Sequence, residues 1–232
     1  MENIKPNEGK NLEIKVDQDV YLRFPIKTHV IKKGDELKVV IEKYLKPHLK
    51  KDDFVFISER MIAIIQGRAF PIKDIKPSKL ANFLSKFVYK SPYGIGIGSP
   101  WTMELAIREV GVIRIFLGIV ASVLTKPFGI RGVFYRVCGS KVSAIDGPCD
   151  YTLPPYNEYA KFGPKNPNKV ARDLKDLLGN EIVIIDANDL GVAVLGRSSK
   201  KISKQFAQKV FKDNPLGQGS ETTPMCIVRR EE

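Results

Sequence analysis

The chain of 232 residues is poor in the residues that most often carry metal or nucleophile chemistry, with three cysteines, two histidines and one tryptophan. Cys138, Cys149 and Cys226 are odd in number and form no Cys-x-x-Cys pair, which argues against a disulfide framework and a zinc site. With only His29 and His48, no Ser-His-Asp or Cys-His arrangement is apparent. No long apolar run occurs. The most apolar stretch, residues 115–124, is closed by Arg114 and Lys126, and a bilayer span needs about 20 apolar residues. The first residues, MENIKPNEGKNLEIK, mix both charge signs without an apolar segment. They read as neither a secretory signal nor a transit peptide, and a cytoplasmic protein is the expectation. No internal period of 20 to 50 residues is present, which excludes a solenoid.

What remains is an ordinary globular composition, 43% hydrophobic and 28% charged. A chain this long, folded as one unit, buries roughly 70–75% of the surface exposed when unfolded. Lys and Arg number 38 against 26 Asp and Glu, a formal charge of +12. Such a field favours anionic partners: nucleic acid, anionic lipid or a phosphate-rich small ligand. The short basic runs Lys50–Lys51 and Lys200–Lys201 read as solvated surface.

Hydrophobic periodicity supplies the elements. Residues 12–24 alternate as one or two half-buried strands do. Leu37, Val40, Ile41, Tyr44 and Leu45 repeat at helical spacing, with Asp35 as the expected N-cap and Pro47 as a stop. Phe54 to Ser58 and Met61 to Ile65 read as two strands flanking Ser58, Glu59 and Arg60. Ser78 is positioned to cap a helix carrying Leu80, Phe83, Leu84, Phe87 and Val88, and another helix starts near Trp101. Residues 115–124 suggest a core or dimer-interface helix, and 133–138 and 142–145 two further strands. Val170, Leu174, Leu177 and Leu178 mark a helix ended by Gly179-Asn180. Strands follow at EIVIID and at 192–195, then a helix through Ile202, Phe206 and Val210, and a last strand, MCIVR. The class expected is mixed α/β (α+β), mixed sheets flanked by helices, in a single domain over 1–232 with a sub-domain insertion at about 90–131.

Two nucleotide motifs fail on inspection. GIGIGSPW lacks the third glycine of a dinucleotide fingerprint. GVAVLGRS, at 191–198, puts Arg197 where a P-loop carries lysine and fills its centre with apolar residues suited to a buried strand. Acidic residues at strand ends are better signals. Asp146 follows VSAI and precedes Gly-Pro, and Asp186 follows IVII. Carboxylates emerging from apolar strands call for a compensating cation, and a pair of them suits Mg²⁺ or Mn²⁺ shared with a substrate phosphate. Each Asp capping a turn is the alternative. Gln218, flanked by glycines in LGQGSETTP, adds an amide oxygen in a loop that lets backbone approach a ligand.

In this order PIKTHVIKKGDEL, FISERMIAIIQGR, AIDGP, IIDAND and GQGSETTP resemble the coenzyme F(420):L-glutamate ligase (CofE-like, gamma-glutamyl ligase) family over roughly residues 25–230. The resemblance implies Mg²⁺ or Mn²⁺ held by Asp146, Asp186 and Gln218, with GTP or ATP as co-substrate. It implies a nucleotide lined by Thr28, His29, Val30, Ile31, Ser58, Glu59, Asn188, Gly217, Gly219, Ser220 and Glu221. Lys27, Arg60 and Arg68 are candidate phosphate or carboxylate clamps. The chain departs from the family pattern at Ile64, Cys149 and Ala187, where lysine, asparagine and threonine are expected. L-glutamate, a carboxylate acceptor and a second copy of the chain are the implied partners, with no membrane and nucleic acid not favoured. The reading is a ligase adding glutamate through an acyl phosphate, with acceptor recognition placed in 93–131 and 149–167. A catalytically idle nucleotide-binding protein and a basic RNA-binding module are the alternatives.

Overall fold

The computed structural model describes residues 4–88, 96–130, 132–188 and 191–231. In chain order the strands and helices are β1 (Glu13–Val16), β2 (Asp19–Ile26), α1 (Leu37–Val40), β3 (Phe54–Ser58), α2 (Glu59–Ile65), β4 (Ala69–Pro71), α3 (Lys79–Leu84) and α4 (Pro100–Val110). There follow α5 (Val112–Thr125), α6 (Val133–Cys138), α7 (Ser140–Ser143), β5 (Tyr159–Lys161), α8 (Pro167–Leu178), β6 (Glu181–Asn188), β7 (Gly191–Arg197), α9 (Lys204–Val210) and β8 (Met225–Arg230). The chain divides into two compact units, one of Met1–Gly67 with Pro164–Glu232 and one of Arg68–Gly163. The stretch 90–131 read as an insertion belongs to the second unit.

The first unit is built on a six-stranded mixed sheet in the order β1-β2-β8-β3-β6-β7. Only β3 and β6 run parallel; the other neighbours are antiparallel. One face carries Phe56, Val183, Ile185, Cys226 and Val228, and α9 covers it through Ala207 and Val210. Phe56 stacks on Phe211 with ring centroids 4.4 Å apart. By strand alternation Val55, Ile57, Ile182, Ile184 and Ile227 point to the other face, and they are as fully buried. Central strands that bury both faces read as continuous apolar runs, as FVFIS and EIVII do.

Two ion pairs, each with one buried member, lock this unit. Arg23 is 1% exposed and its guanidinium forks onto Asp213, while Arg229 pairs with the buried Asp53. Asn180, the residue after the Gly179 cap of α8, donates to the carbonyls of Lys50 and Asp53.

The second unit packs α3 to α7 around Met103, Leu105, Ile115, Cys138, Val142 and Phe162, beside the two-stranded ladder β4-β5. Its α3 begins as expected, with the Ser78 hydroxyl accepting the Ala81 N–H. Its α4 opens on a Ser99–Thr102 capping box. Of GIGIGSPW, Gly94 and Ile95 lie outside the described residues, and the rest turns into that cap.

Several elements differ from the sequence reading. Residues 61–65 belong to helix α2, and 133–138 and 140–143 are helices α6 and α7, not strands. Short apolar runs fit a buried helix as well as a strand, and here no partner strand is available to them. The N-cap of α1 is Glu36 and not the expected Asp35; Glu36 makes no side-chain cap bond, and Asp35 instead accepts the Lys32 N–H in the turn before the helix. Helical structure beyond α1 continues as a π turn and a 3₁₀ turn to His48.

Candidate functional site

Four segments of the first unit emerge at the same end of the sheet. Ile26, at the end of β2, is paired with Met225 at the start of β8; Met225 is paired with Ile57, and Ser58 with Ile185. Beyond these residues run Lys27–Thr28–His29–Val30–Ile31, Glu59–Arg60 and the loop 217–224 that enters β8, together with Asp186–Asn188, where β6 does not stop as expected but stays paired with β7. At about 4.8 Å per strand, the four ends span roughly 15 Å. Ligands of open α/β sheets settle in such places, outside the carboxyl ends of strands.

The loop is stitched to both neighbours. Thr28 N–H donates to the Thr222 carbonyl at 2.9 Å and Ser58 N–H to the Pro224 carbonyl at 2.8 Å. From below, Asn214 donates to the Gly217 carbonyl, Thr223 to the Leu216 carbonyl, and Asn7 to Pro215 and Thr223. Within it, the Glu221 carboxylate accepts the Gly219 N–H at 2.7 Å. Gln218 has its Nε2 buried without a hydrogen-bond partner among the described residues. An orphaned amide at a loop tip is a group made for a ligand, donating through nitrogen or accepting through oxygen according to its flip.

His29 stands between Asp35, in the turn before α1, and Tyr44, in the π turn after it, with Nε2 2.9 Å from the Asp35 carboxylate and Nδ1 3.0 Å from the Tyr44 hydroxyl. A carboxylate only accepts, so Nε2 carries the proton, and in the neutral ring Nδ1 accepts from Tyr44. Partial burial pushes the Asp35 carboxyl up, but the bonds from Lys32 N–H and His29 outweigh it and hold it below its ordinary value. Thr28 is buried, its hydroxyl donating to the His29 carbonyl at 2.7 Å. Ile31 is buried too, and Lys27 is exposed.

Next to this row lies a cavity of about 440 Å³ whose lining includes Lys5, Lys27, Lys43, Tyr44, His48 and Glu221. Three lysines against one carboxylate make it a basic pocket of ligand size. Lys5, Lys43 and His48 were missed from sequence. They come from the N-terminal segment and the turns after α1, and only the fold sets them beside Lys27.

Asp146 and Arg68 belong to the second unit. Asp146 exchanges both backbone bonds with Lys161, and its carboxylate lies 3.0 Å from the Lys161 ammonium, which is itself buried. The cation this carboxylate called for is thus supplied in part by lysine. Arg68 is buried, its Nε on the Gly163 carbonyl, its fork on Glu109 at 2.9 Å and its plane 4.6 Å from the centre of the Phe162 ring. These bonds give Arg68 a structural task within that unit. Ile64, where the resemblance leads one to expect lysine, is buried on α2.

Among the described residues no three His, Cys, Asp or Glu side chains cluster as a metal cage. The candidate donors are carboxylate and amide oxygens, a hard set that fits Mg²⁺ or Mn²⁺, and Mg²⁺ takes one or two carboxylates and completes its shell with water and substrate phosphate.

The family model for F420-0:gamma-glutamyl ligase matches residues 25–188, well over half of the chain. The chain belongs to that family. No curated protein matches it. The matched span of this F420-0:gamma-glutamyl ligase family member contains three of the four sheet-end segments, and the loop 217–224 lies beyond it. No helix among the described residues is long and apolar enough to cross a membrane.

Proposed function

We propose that this family member binds a nucleoside triphosphate, GTP or ATP, across the sheet end of its first unit, and uses it to join L-glutamate to an acceptor carboxylate. The acceptor is of the coenzyme F(420) type or another carboxylate compound. Membership of the family supports a glutamate-adding ligase. The observation that carries the nucleotide reading is the convergence of Lys27–Ile31, Ser58–Arg60, Asp186–Asn188 and the loop 217–221 on one edge, beside a basic pocket.

A carboxylate does not react with an amine at neutral pH, so activation must come first. In the proposed sequence an oxygen of the acceptor carboxylate attacks the γ-phosphorus, the bond to the β–γ bridging oxygen breaks, and the nucleoside diphosphate leaves with its electrons. The glutamate nitrogen then attacks the acyl carbon, a C–N bond forms and phosphate leaves with its C–O electrons. Catalysis of such transfers is positioning and charge neutralisation. Lys27 and Arg60 would offset phosphate charge, and the loop 217–221 would present backbone N–H groups and the Gln218 amide. Asp186 and Gln218 would hold Mg²⁺ or Mn²⁺, which when bound neutralises phosphate oxygens. In the second unit the Lys161 ammonium orients the Asp146 carboxylate. Acceptor recognition is assigned to the second unit and its loop after Cys149, with Trp101 and Tyr156 as the residues to vary.

Calorimetric titration of GTP and ATP with Mn²⁺ or Mg²⁺ tests binding. Asp186→Ala is expected to weaken triphosphate binding ten-fold or more; unchanged affinity overturns the placement. Mass spectrometry of acceptors incubated with GTP and glutamate tests turnover. The buried Ile64 favours a second reading, nucleotide binding without ligation, and tight binding with no glutamyl product would establish it.

A further inference from the structure

The basic pocket beside the sheet end has a composition that a triphosphate does not account for. Its volume, about 440 Å³, lies toward the lower end of the roughly 300–1,000 Å³ usual for ligand sites. Among the described residues its lining holds neither arginine nor glycine, whose planar forks and open backbone N–H groups suit phosphates. What it offers is point charge. Lys5, Lys27 and Lys43 are exposed, and none of them joins an ion pair among the described residues. One carboxylate, Glu221, shares the pocket with them. Ile4, Pro25 and Ile26 add apolar lining.

Bonds between distant parts of the chain fix these walls. Asn7 donates to the Pro215 carbonyl and to the Thr223 hydroxyl, both at 2.8 Å, and so anchors the N-terminal segment that carries Lys5. The Tyr44 hydroxyl is pinned 3.0 Å from His29 Nδ1. Lys43 Nζ stands 4.9 Å from the centre of the Tyr44 ring, a cation over an aromatic face. Glu221 is held by the Gly219 N–H through one carboxylate oxygen.

A ligand that answers this set carries two anionic groups, one cationic group and a short apolar stem. L-glutamate has two carboxylates, one ammonium group and two methylenes between its ends. Position agrees with the chemistry, since the glutamate nitrogen must reach the acyl carbon beside the nucleotide. Lys27 and Glu221 line the pocket and also belong to the sheet-end segments assigned to the nucleotide, so the two places adjoin.

We propose that this pocket seats L-glutamate, an inference that rests on the ligase reading above. Lys5, Lys27 and Lys43 take the two carboxylates, and Glu221 takes the ammonium group. The test is titration of the full chain with isotope-labelled L-glutamate, followed by NMR line broadening, with and without Mg²⁺ and a non-hydrolysable GTP analogue. Saturable binding in at least one condition is the expected result. Lys5→Gln and Lys43→Gln should each weaken it about five-fold or more. Both side chains are exposed, so melting temperature and affinity for the GTP analogue should hold. Glutarate, which lacks the ammonium group, should bind more weakly than L-glutamate, and Glu221→Gln should narrow or reverse that preference. The preference is a ratio measured on one protein, so a general loosening of the loop does not imitate its loss. Absence of glutamate binding in both conditions overturns the proposal. So does glutamate binding that survives both lysine substitutions, or a Lys43→Gln variant that loses the GTP analogue as strongly as it loses glutamate. Glutamate bound with the expected dependences but no triphosphate bound would uphold the pocket and refute the nucleotide placement; triphosphate bound without glutamate would do the reverse.

Discussion

At Gly217 one missing Cβ sets the form of the loop over the sheet end. Its φ of +75° is a left-handed value that side chains resist, and a Cβ there would stand 2.5 Å from Glu221 Cδ. Gly219 has ordinary φ, and its Cβ would come no nearer than 3.4 Å. Gly217→Ala should therefore cost about 1 kcal/mol, push the Glu221 carboxylate off the Gly219 N–H and weaken triphosphate binding. Gly219→Ala should leave stability near its starting value, since neither its φ nor its neighbours resist a Cβ. Thermal melts and nucleotide titration of the two variants check this asymmetry. The Gly-Gln-Gly spacing was legible in the sequence, but the fold-back of Glu221 was not, because it depends on how the loop curls. The engagement of His29 with Asp35 and Tyr44 was hidden for a similar reason, since it needs a turn and a helical segment to bring them together. Arg68 shows the converse: its residue type suggested a clamp, and its burial against Phe162 and Glu109 appears only in three dimensions.

Elements were legible where length and punctuation agreed. The runs at β3, β6 and β8 are apolar, β-branched and bounded by turns, and α8 ends on Gly179 in a left-handed cap. They failed where a run of four to six mostly apolar residues had neither a hairpin partner nor a bonded cap to declare it, as in α2, α6 and α7. The rejected P-loop motif is strand β7, and its Gly196 has a packing reason. A Cβ there would lie 2.5 Å from the carbonyl carbon of Pro167, the first residue of α8. Backbone cannot rotate aside as a side chain does, so helix and strand must separate. Gly196→Ala should cost about 1–3 kcal/mol and lower the melting temperature without changing nucleotide affinity, which scanning calorimetry and titration separate.

Over the whole molecule, the gathering of the site follows from topology: β8, last in the chain, inserts between β2 and β3 and so carries its entry loop to the ends of both. No periodicity announces that insertion, although the site segments themselves were visible in sequence. The same long-range closure joins charges distant in the chain, and it makes the fold sensitive to acid. Burial raises the Asp213 carboxyl, but bonds from the buried Arg23 more than reverse this. Burial likewise opposes Glu181, and Lys175, Ser198 and Ser199 bring it below its ordinary value. Glu104 is lowered by Ser78 and Arg108 against the same burial effect. A carboxyl whose folded pKa lies below its unfolded one binds fewer protons when folded, so its stabilisation is complete above the unfolded value and is lost as pH falls through the folded one. With ordinary values of 4.5 for the glutamates and 3.8 for Asp213 and Asp35, the melting temperature should stay level on acidification to about pH 5 as far as these groups decide it. It should then fall progressively below 4.5. Glu181→Gln should start lower and show a shallower acid limb. A melting temperature that rises on acidification below that range, or an acid limb identical in Glu181→Gln, would show that these ion pairs do not govern the transition.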